Sequence, residues 1–206
     1  MSRNRYDRNS KRRPKVLLNK VLILCGDKDE KLYFDRYKST LKGLRNVTVE
    51  ISIHKHRDPL SLVKEAAKQK TDNKYHEVWA VFDKDEFSQF DEAIACAERL
   101  DVEYAFSNRS IEYWFLLHYE NYTRAMSQKD LENELSKHLC FKYDKSEDST
   151  RKTCKAIEGN LEDAEGRAKV GHERHQRDSG NSPSNWCSCT AVYRLTKRLR
   201  EWAAAT

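Results

Sequence analysis

The sequence predicts an α/β fold with a mostly parallel, four-stranded sheet flanked by helices. Four segments have the apolar character of strands, and each is followed by a segment with helical spacing of its apolar residues; the strand-like segments are 21–25, 47–53, 78–82 and 102–106. Alternating strands and helices are typical of parallel sheets joined by right-handed crossovers. After residue 125 only helical patterns follow, which predicts a C-terminal helical extension.

Local signals support each element of the first half. Residues 21–25 and 78–82 are continuous apolar runs, which predict buried strands, whereas residues 47–53 alternate apolar and polar side chains, as half-buried strands do. Gly26 gives the backbone freedom to turn, and the acids that follow it favour the start of a helix. Helices are predicted to start near residues 27, 59, 87 and 111, and the last of these is strongly apolar.

The second half is predicted to contain helices over residues 130–139, 153–170 and 190–202. Glycine, serine, asparagine and proline are frequent in residues 171–186, which predicts a mobile loop. The organisation that follows is a flexible basic arm (1–19), an α/β domain (20–125) and a helical extension (126–206) packing on that domain.

Length and composition exclude several classes of protein. The 206 residues suffice for one compact domain, no apolar run approaches the 18 residues of a membrane span, and no signal peptide is visible. The six cysteines are scattered, which favours a reducing cytoplasm over a disulfide-linked protein.

The formal net charge of +6 is concentrated near the N-terminus. Residues 1–20 contain eight basic side chains, including Arg12 and Arg13, against the single acid Asp7. Such an arm can neutralise phosphates, which predicts contact with nucleic acid. The alternative is a tail that only keeps the protein soluble.

Carboxylates follow three of the predicted strands. Asp83 and Asp85 come directly after the buried run 78–82, Glu30 follows the first strand, and Glu112 follows the fourth. The carboxyl ends of parallel strands lie at one edge of the sheet, where such folds bind ligands. Oxygen ligands without a convincing Cys/His set favour Mg²⁺ or Mn²⁺. The alternative is a solvated acidic turn.

Three blocks of the sequence resemble a known family. They are Leu-Ile-Leu-Cys-Gly-Asp-Lys-Asp-Glu-Lys-Leu-Tyr-Phe at 22–34, Val-Trp-Ala-Val-Phe-Asp-Lys-Asp-Glu at 78–86 and Ser-Asn-Arg-Ser-Ile-Glu-Tyr-Trp-Phe-Leu-Leu-His-Tyr-Glu at 107–120. Together they resemble the RloB-like proteins, a Toprim-fold group related to the OLD nucleases and encoded with bacterial anti-phage or restriction systems. The resemblance covers most of the chain, and its third block is the most specific.

The resemblance implies a Toprim sheet, a metal site, cleavage of nucleic acid and, in many members, work beside a partner ATPase. It implies that Asp83 and Asp85 are the metal-binding D-x-D pair and that Glu30 and Glu112 match two further acids of the family. The first glutamate of the opening motif is expected at position 25, where this chain has Cys25. A cysteine is a soft ligand and is mostly protonated near neutral pH.

Three functions remain open from the sequence. The first is a Mg²⁺- or Mn²⁺-dependent nuclease in phage defence, acting on DNA or RNA, transfer RNA included; Glu30, Asp83 and Asp85 would be catalytic, and Lys84 and Arg109 would hold the phosphate backbone. The second is a catalytically weak module that binds nucleic acid or a partner ATPase, because Cys25 replaces a carboxylate. The third is a small phosphotransfer or response-regulator-like domain. A homo-oligomer is compatible with each.

Overall fold

The chain alternates strands and helices as far as residue 116 and then continues mainly as helices. The computed structural model describes residues 19–72, 75–180 and 182–205. In chain order the elements are β1 (Asn19–Cys25), α1 (Lys28–Thr40), β2 (Val47–Ile53), α2 (Pro59–Asp72), β3 (Glu77–Asp83), α3 (Phe90–Arg99), β4 (Glu103–Asn108), α4 (Ile111–Leu116), α5 (Gln128–His138), α6 (Glu147–Ala156), α7 (Leu161–Asp178), β5 (Cys189–Thr190) and α8 (Val192–Ala204), with short 3₁₀ helices at Glu158–Asn160 and Pro183–Asn185.

The strands form one sheet in the order β2-β1-β3-β4-β5. The first four are parallel neighbours, and β5 pairs antiparallel with β4, placing Thr190 opposite Ser107 and Cys189 opposite Asn108. The predicted mostly parallel sheet flanked by helices is confirmed, and it is consistent with a Toprim-like fold. The predicted number of four strands was wrong, because β5 has only two residues and a two-residue strand shows no periodicity.

Alternate side chains of the buried strands enter two different cores, as the period of a strand requires. Ile23, Cys25 and Val81 lie on the face covered by α1, α4 and α8, whereas Leu24 and Phe82 lie on the face covered by α2 and α3. Because both faces are covered, β1 and β3 are apolar along nearly their whole length.

The helical boundaries of the second half differ from the prediction. The predicted helix 153–170 is two helices, α6 and α7, separated by a 3₁₀ turn. The predicted loop 171–186 was wrong for residues 171–178, which complete α7. His172 and His175 in this last part pack against Trp186, so aromatic contacts support a helix that the composition does not suggest. The final helix begins at Val192 rather than 190.

No helix within the described residues combines the length and apolar character needed to cross a membrane. The predicted arm, including Arg12 and Arg13, lies outside the described residues except for Asn19, which already belongs to β1.

Candidate functional site at the carboxyl edge of the sheet

The predicted acidic residues meet at the carboxyl ends of β1, β3 and β4. Glu30 lies in the first turn of α1, Asp83 is the last residue of β3, Asp85 follows it in a turn, and Glu112 lies in the first turn of α4. The charges of Glu30, Glu112 and Asp85 each raise the pKa of Asp83, which places the four carboxylates close enough to act as one cluster. We call these four residues the acidic cluster.

Glu30 is fixed by the turn that starts α1. Its Oε2 accepts hydrogen bonds from the backbone N–H groups of Gly26 (2.8 Å) and Asp27 (3.1 Å). Asp27 is the N-cap of the helix, so the two acids form a capping box. Burial raises the pKa of Glu30 well above its usual value, against the effect of the two N–H donors, and the charges of Asp27 and Asp85 raise it further.

Only one of the two carboxylate oxygens of Asp83 has a hydrogen-bond partner among the described residues. Its Oδ2 accepts a hydrogen bond from the backbone N–H of Ile111 at 3.1 Å, whereas its Oδ1 is buried with no hydrogen-bond partner among the described residues. Burial raises the pKa of Asp83 well above its usual value, and the charges of Glu30, Glu112 and Asp85 add to the rise. A buried oxygen without a partner is costly, so this atom favours a proton or a cation.

Asp85 adopts a left-handed backbone conformation, with φ 41°. Aspartate tolerates this region better than most residues, and the turn is supported by the hydrogen bond from its N–H to the carbonyl of Arg109, at 3.1 Å. Burial raises the pKa of Asp85; the charge of Glu112 also raises it, whereas Lys145 and Arg109 lower it.

Glu112 is 0% exposed and is the only one of the four to receive a counter-charge in an ion pair within the described part of the chain. The Lys145 ammonium lies 3.1 Å from its Oε1, and the Tyr143 hydroxyl donates to the same oxygen at 3.0 Å. Its Oε2 has no hydrogen-bond partner in the described residues. Burial alone would lower the pKa of Lys145, but the carboxylates of Glu112, Asp83 and Asp29 together raise it.

Three further residues reach the site without having been predicted there. Asp29 is 3% exposed, accepts a hydrogen bond from Thr150 at 3.0 Å, and has its pKa raised to about 6 by burial and by the charge of Glu112. Asp29 directly precedes Glu30 in the same acidic turn, and this position in the sequence could have identified it as a site residue. Tyr143 and Lys145 lie between two helices, α5 and α6, in a segment whose sequence gives no sign of a site.

The basic residues predicted to hold phosphate lie at the rim. The Lys84 ammonium contacts the carbonyl of Asp85 at 3.5 Å, and Arg109 forms an ion pair with the exposed Glu86. Both residues therefore lie at the sheet edge that carries the acidic cluster.

Cys25 ends β1, as predicted, and is fully buried. Its side chain lies on the same face of the sheet as that of Val81, the residue two before Asp83. Burial raises the pKa of the Cys25 thiol well above its usual value, and the charge of Glu30 adds to the rise. The thiol is therefore neutral at physiological pH.

The chemistry of the acidic cluster fits a hard divalent cation. Its donors are carboxylate oxygens, which Mg²⁺ and Mn²⁺ prefer, and the unpartnered Oδ1 of Asp83 is an oxygen that such an ion would satisfy. Residues 19–72, 75–180 and 182–205 contain no group of three or more His, Cys, Asp or Glu side chains arranged to hold one ion. Mg²⁺ is commonly held by one or two carboxylates together with water and substrate phosphates, so a smaller protein ligand set suffices.

Comparison with known proteins identifies the family. Neither the curated proteins nor the solved structures contain a match to this chain. The family model described as RloB-like protein matches residues 21–199, which include all four carboxylates of the acidic cluster as well as Lys145. The match spans most of the 206 residues, and the chain therefore belongs to the RloB-like protein family.

Proposed function

We propose that this protein is a Mg²⁺- or Mn²⁺-dependent nuclease that hydrolyses phosphodiester bonds in DNA or RNA, with transfer RNA as one possible substrate. One observation carries the proposal: three separate segments bring mutually repelling carboxylates together at the carboxyl edge of a parallel sheet, and a buried oxygen of Asp83 has no hydrogen-bond partner among the described residues. Without a cation this arrangement lowers the stability of the fold, and a bound cation would offset that cost. Such an arrangement is typical of a functional site.

In this proposal one or two of the carboxylates of Asp83, Asp85 and Glu30 would bind the cation directly, and the others, with Glu112, would bind it through water. When bound, the ion supplies charge stabilisation to a phosphoryl group under attack and to the leaving oxygen. The backbone N–H groups of Gly26 and Asp27 orient Glu30, and the N–H of Ile111 orients Asp83. Lys84 and Arg109, at the rim, attract the phosphate backbone.

Lys145 also has a part in the proposed site. It neutralises Glu112, and it is near enough to Asp83 for the two charges to interact. A cation at this position lowers the negative potential of the acidic cluster, which would otherwise repel a phosphate.

A catalytically weak binding module is the second candidate, and Cys25 favours it. A buried, neutral thiol provides neither a base nor an anionic ligand at the end of β1. In this alternative the same edge binds nucleic acid or a partner ATPase without efficient cleavage.

We further propose that the protein acts in the cytoplasm of bacteria, in anti-phage defence or restriction, beside a partner ATPase. Its membership of the RloB-like family supports this role.

The test is cleavage of plasmid, single-stranded DNA and total RNA in the presence of Mg²⁺, Mn²⁺ or a chelator. The Asp83→Asn variant keeps the acceptor for the Ile111 N–H and removes the charge, so it should abolish metal-dependent cleavage. Asp148→Asn is the matched control, because Asp148 is exposed on α6 and pairs only with Lys152 within the described residues. Equal cleavage by wild type and Asp83→Asn would refute the proposal.

Calorimetric titration with Mn²⁺ separates the two candidates. The nuclease requires binding that Asp83→Asn removes, together with cleavage. Metal binding or nucleic-acid binding with no cleavage of any of the three substrates would support the binding module instead.

A further inference from the structure

The connection between β2 and α2 carries a short basic loop, residues 54–57, with the sequence His-Lys-His-Arg, which we call the 54–57 loop. Its last three residues are exposed. The N–H of His54 donates to the carbonyl of Cys25 at 2.8 Å, so the loop starts beside the end of β1. The rings of His54 and His56 meet edge to face at 5.7 Å, which gives the loop a defined shape.

The far end of the loop is tied to the same turn that orients Glu30. The Arg57 guanidinium lies 3.4 Å from Oδ2 of Asp27, the N-cap of α1. The Arg57 carbonyl oxygen would lie 3.7 Å from a Cβ placed on Gly26, so the loop packs closely on the turn. The basic loop is therefore a direct neighbour of the acidic cluster.

The cations of the loop are available to an external anion. Lys55 forms no ion pair with any described residue, and the Arg57 side chain is 70% exposed although it pairs with Asp27. Exposed ion pairs of this kind contribute little stability, so Arg57 can exchange Asp27 for a phosphate at small cost.

Two further cations follow β3 and β4, on the other side of β1 from the loop. Lys84 follows β3 and has no ion-pair partner within the described chain; Arg109 follows β4, and its partner Glu86 is 84% exposed. In the order β2-β1-β3-β4 the ends of β2 and β4 are three strand spacings apart, about 14 Å. Cations thus follow β2, β3 and β4, over a distance that several phosphates of one strand would span.

We propose that the 54–57 loop binds the phosphate backbone of a nucleic-acid strand that crosses the carboxyl edge of the sheet. One phosphate of that strand lies over the acidic cluster, and Lys84 and Arg109 hold the strand at the ends of β3 and β4. The inference rests on the proposed function, because it takes nucleic acid as the ligand. Phosphate contacts position a strand without reading its sequence, so the loop contributes affinity and orientation rather than specificity.

The experiment compares two double variants of the full chain, each with Asp83→Asn added to prevent cleavage. The first is Lys55→Gln/Arg57→Gln. The second, the matched control, is Lys42→Gln/Arg45→Gln, because Lys42 and Arg45 are exposed and lie in the connection that precedes β2, at the opposite end of the same strand. Binding of a fluorescent single strand of about 20 nucleotides is followed by anisotropy over a range of salt concentrations.

The loop variant should reduce the slope of log affinity against log salt by about 1.4, since each phosphate contact in a single strand contributes about 0.7. At about 0.1 M salt this corresponds to a roughly 25-fold loss of affinity. The control variant should bind like its Asp83→Asn parent. An unchanged slope in the loop variant, or an equal change in both variants, would overturn the inference.

Cleavage assays keep this inference distinct from the proposed nuclease. If the protein cleaves nucleic acid through Asp83 but the loop variant keeps the parental slope, only the inference about the loop fails. If the loop variant loses affinity as expected but no chain cleaves nucleic acid, only the nuclease proposal fails.

Discussion

Replacing Asp29 by asparagine should stabilise the folded protein above about pH 6, although Asp29 is a buried charged residue in a hydrogen bond. The Asp29 side chain accepts a hydrogen bond from Thr150, and asparagine keeps an oxygen for that bond. The substitution therefore removes the charge, which is repelled by Glu112 and disfavoured by burial, while it preserves the contact between α1 and α6.

The size of the effect follows from the pKa of Asp29, which rises from 3.8 to about 6 in the folded chain. Between these two pH values the folded state binds more protons than the unfolded state, so the free energy of unfolding falls as the pH rises. Above about pH 6 the full cost is present, and a difference of about two pKa units corresponds to roughly 3 kcal/mol. Below about pH 3 both states are protonated and the cost is absent.

Urea denaturation followed by tryptophan fluorescence measures this difference for the wild type and the Asp29→Asn variant, with a chelator present. At about pH 8 the variant should unfold at a higher urea concentration, by up to roughly 3 kcal/mol in the free energy of unfolding. At about pH 3 the two curves should coincide. Asp35→Asn is the control, because Asp35 is an exposed aspartate of the same helix, paired with Lys31, and its replacement should give no stabilisation.

Two results would contradict the reasoning about Asp29. A variant that is less stable than the wild type at about pH 8 would show that the charge of Asp29 helps the fold. A stability difference that does not change with pH would show that the effect has a cause other than ionisation.

Two other substitutions test the surroundings of the acidic cluster. Cys25→Glu should lower stability in the absence of metal, because it buries another charge beside Glu30. If a carboxylate is missing at this position, the same substitution should raise Mg²⁺-dependent cleavage about 10²–10⁴-fold. Full activity in both the wild type and Cys25→Ala would contradict this. Lys145→Gln should lower the free energy of unfolding in urea by roughly 1–3 kcal/mol, less than the loss of a fully buried ion pair, because the Lys145 side chain is 35% exposed. Replacing the exposed Lys142 by glutamine is the control and should cost little. An equal cost for both would remove Lys145 from the site.

The position of the acids was predictable because it depends on strands with clear local signals. The run that precedes Asp83 is apolar at every position, so its end, and with it the edge of the sheet, is visible in the sequence. Glu30 was predictable for a related reason, since it lies in the first turn of a helix that begins directly after β1. Parallel pairing then places both residues at the same edge.

The residues that pack around the acidic cluster were not predictable, because their contacts join segments that are distant in sequence. Lys145 lies more than 30 residues after Glu112 and in no regular element, so no periodicity connects the two. The length of α7 was missed for a similar reason. Its last turns are stabilised by the stacking of His175 on Trp186, a tertiary contact that outweighs the local composition.

The small strand β5 has a consequence for the synthesis of the chain on the ribosome. Thr190 and Cys189 pair with the end of β4, and α8 also contacts β4. A nascent chain that has not yet reached residue 189 therefore leaves this edge of the sheet open, and an open edge invites pairing with other chains. We expect fragments that end before β5 to aggregate more readily than fragments that include β5 and α8.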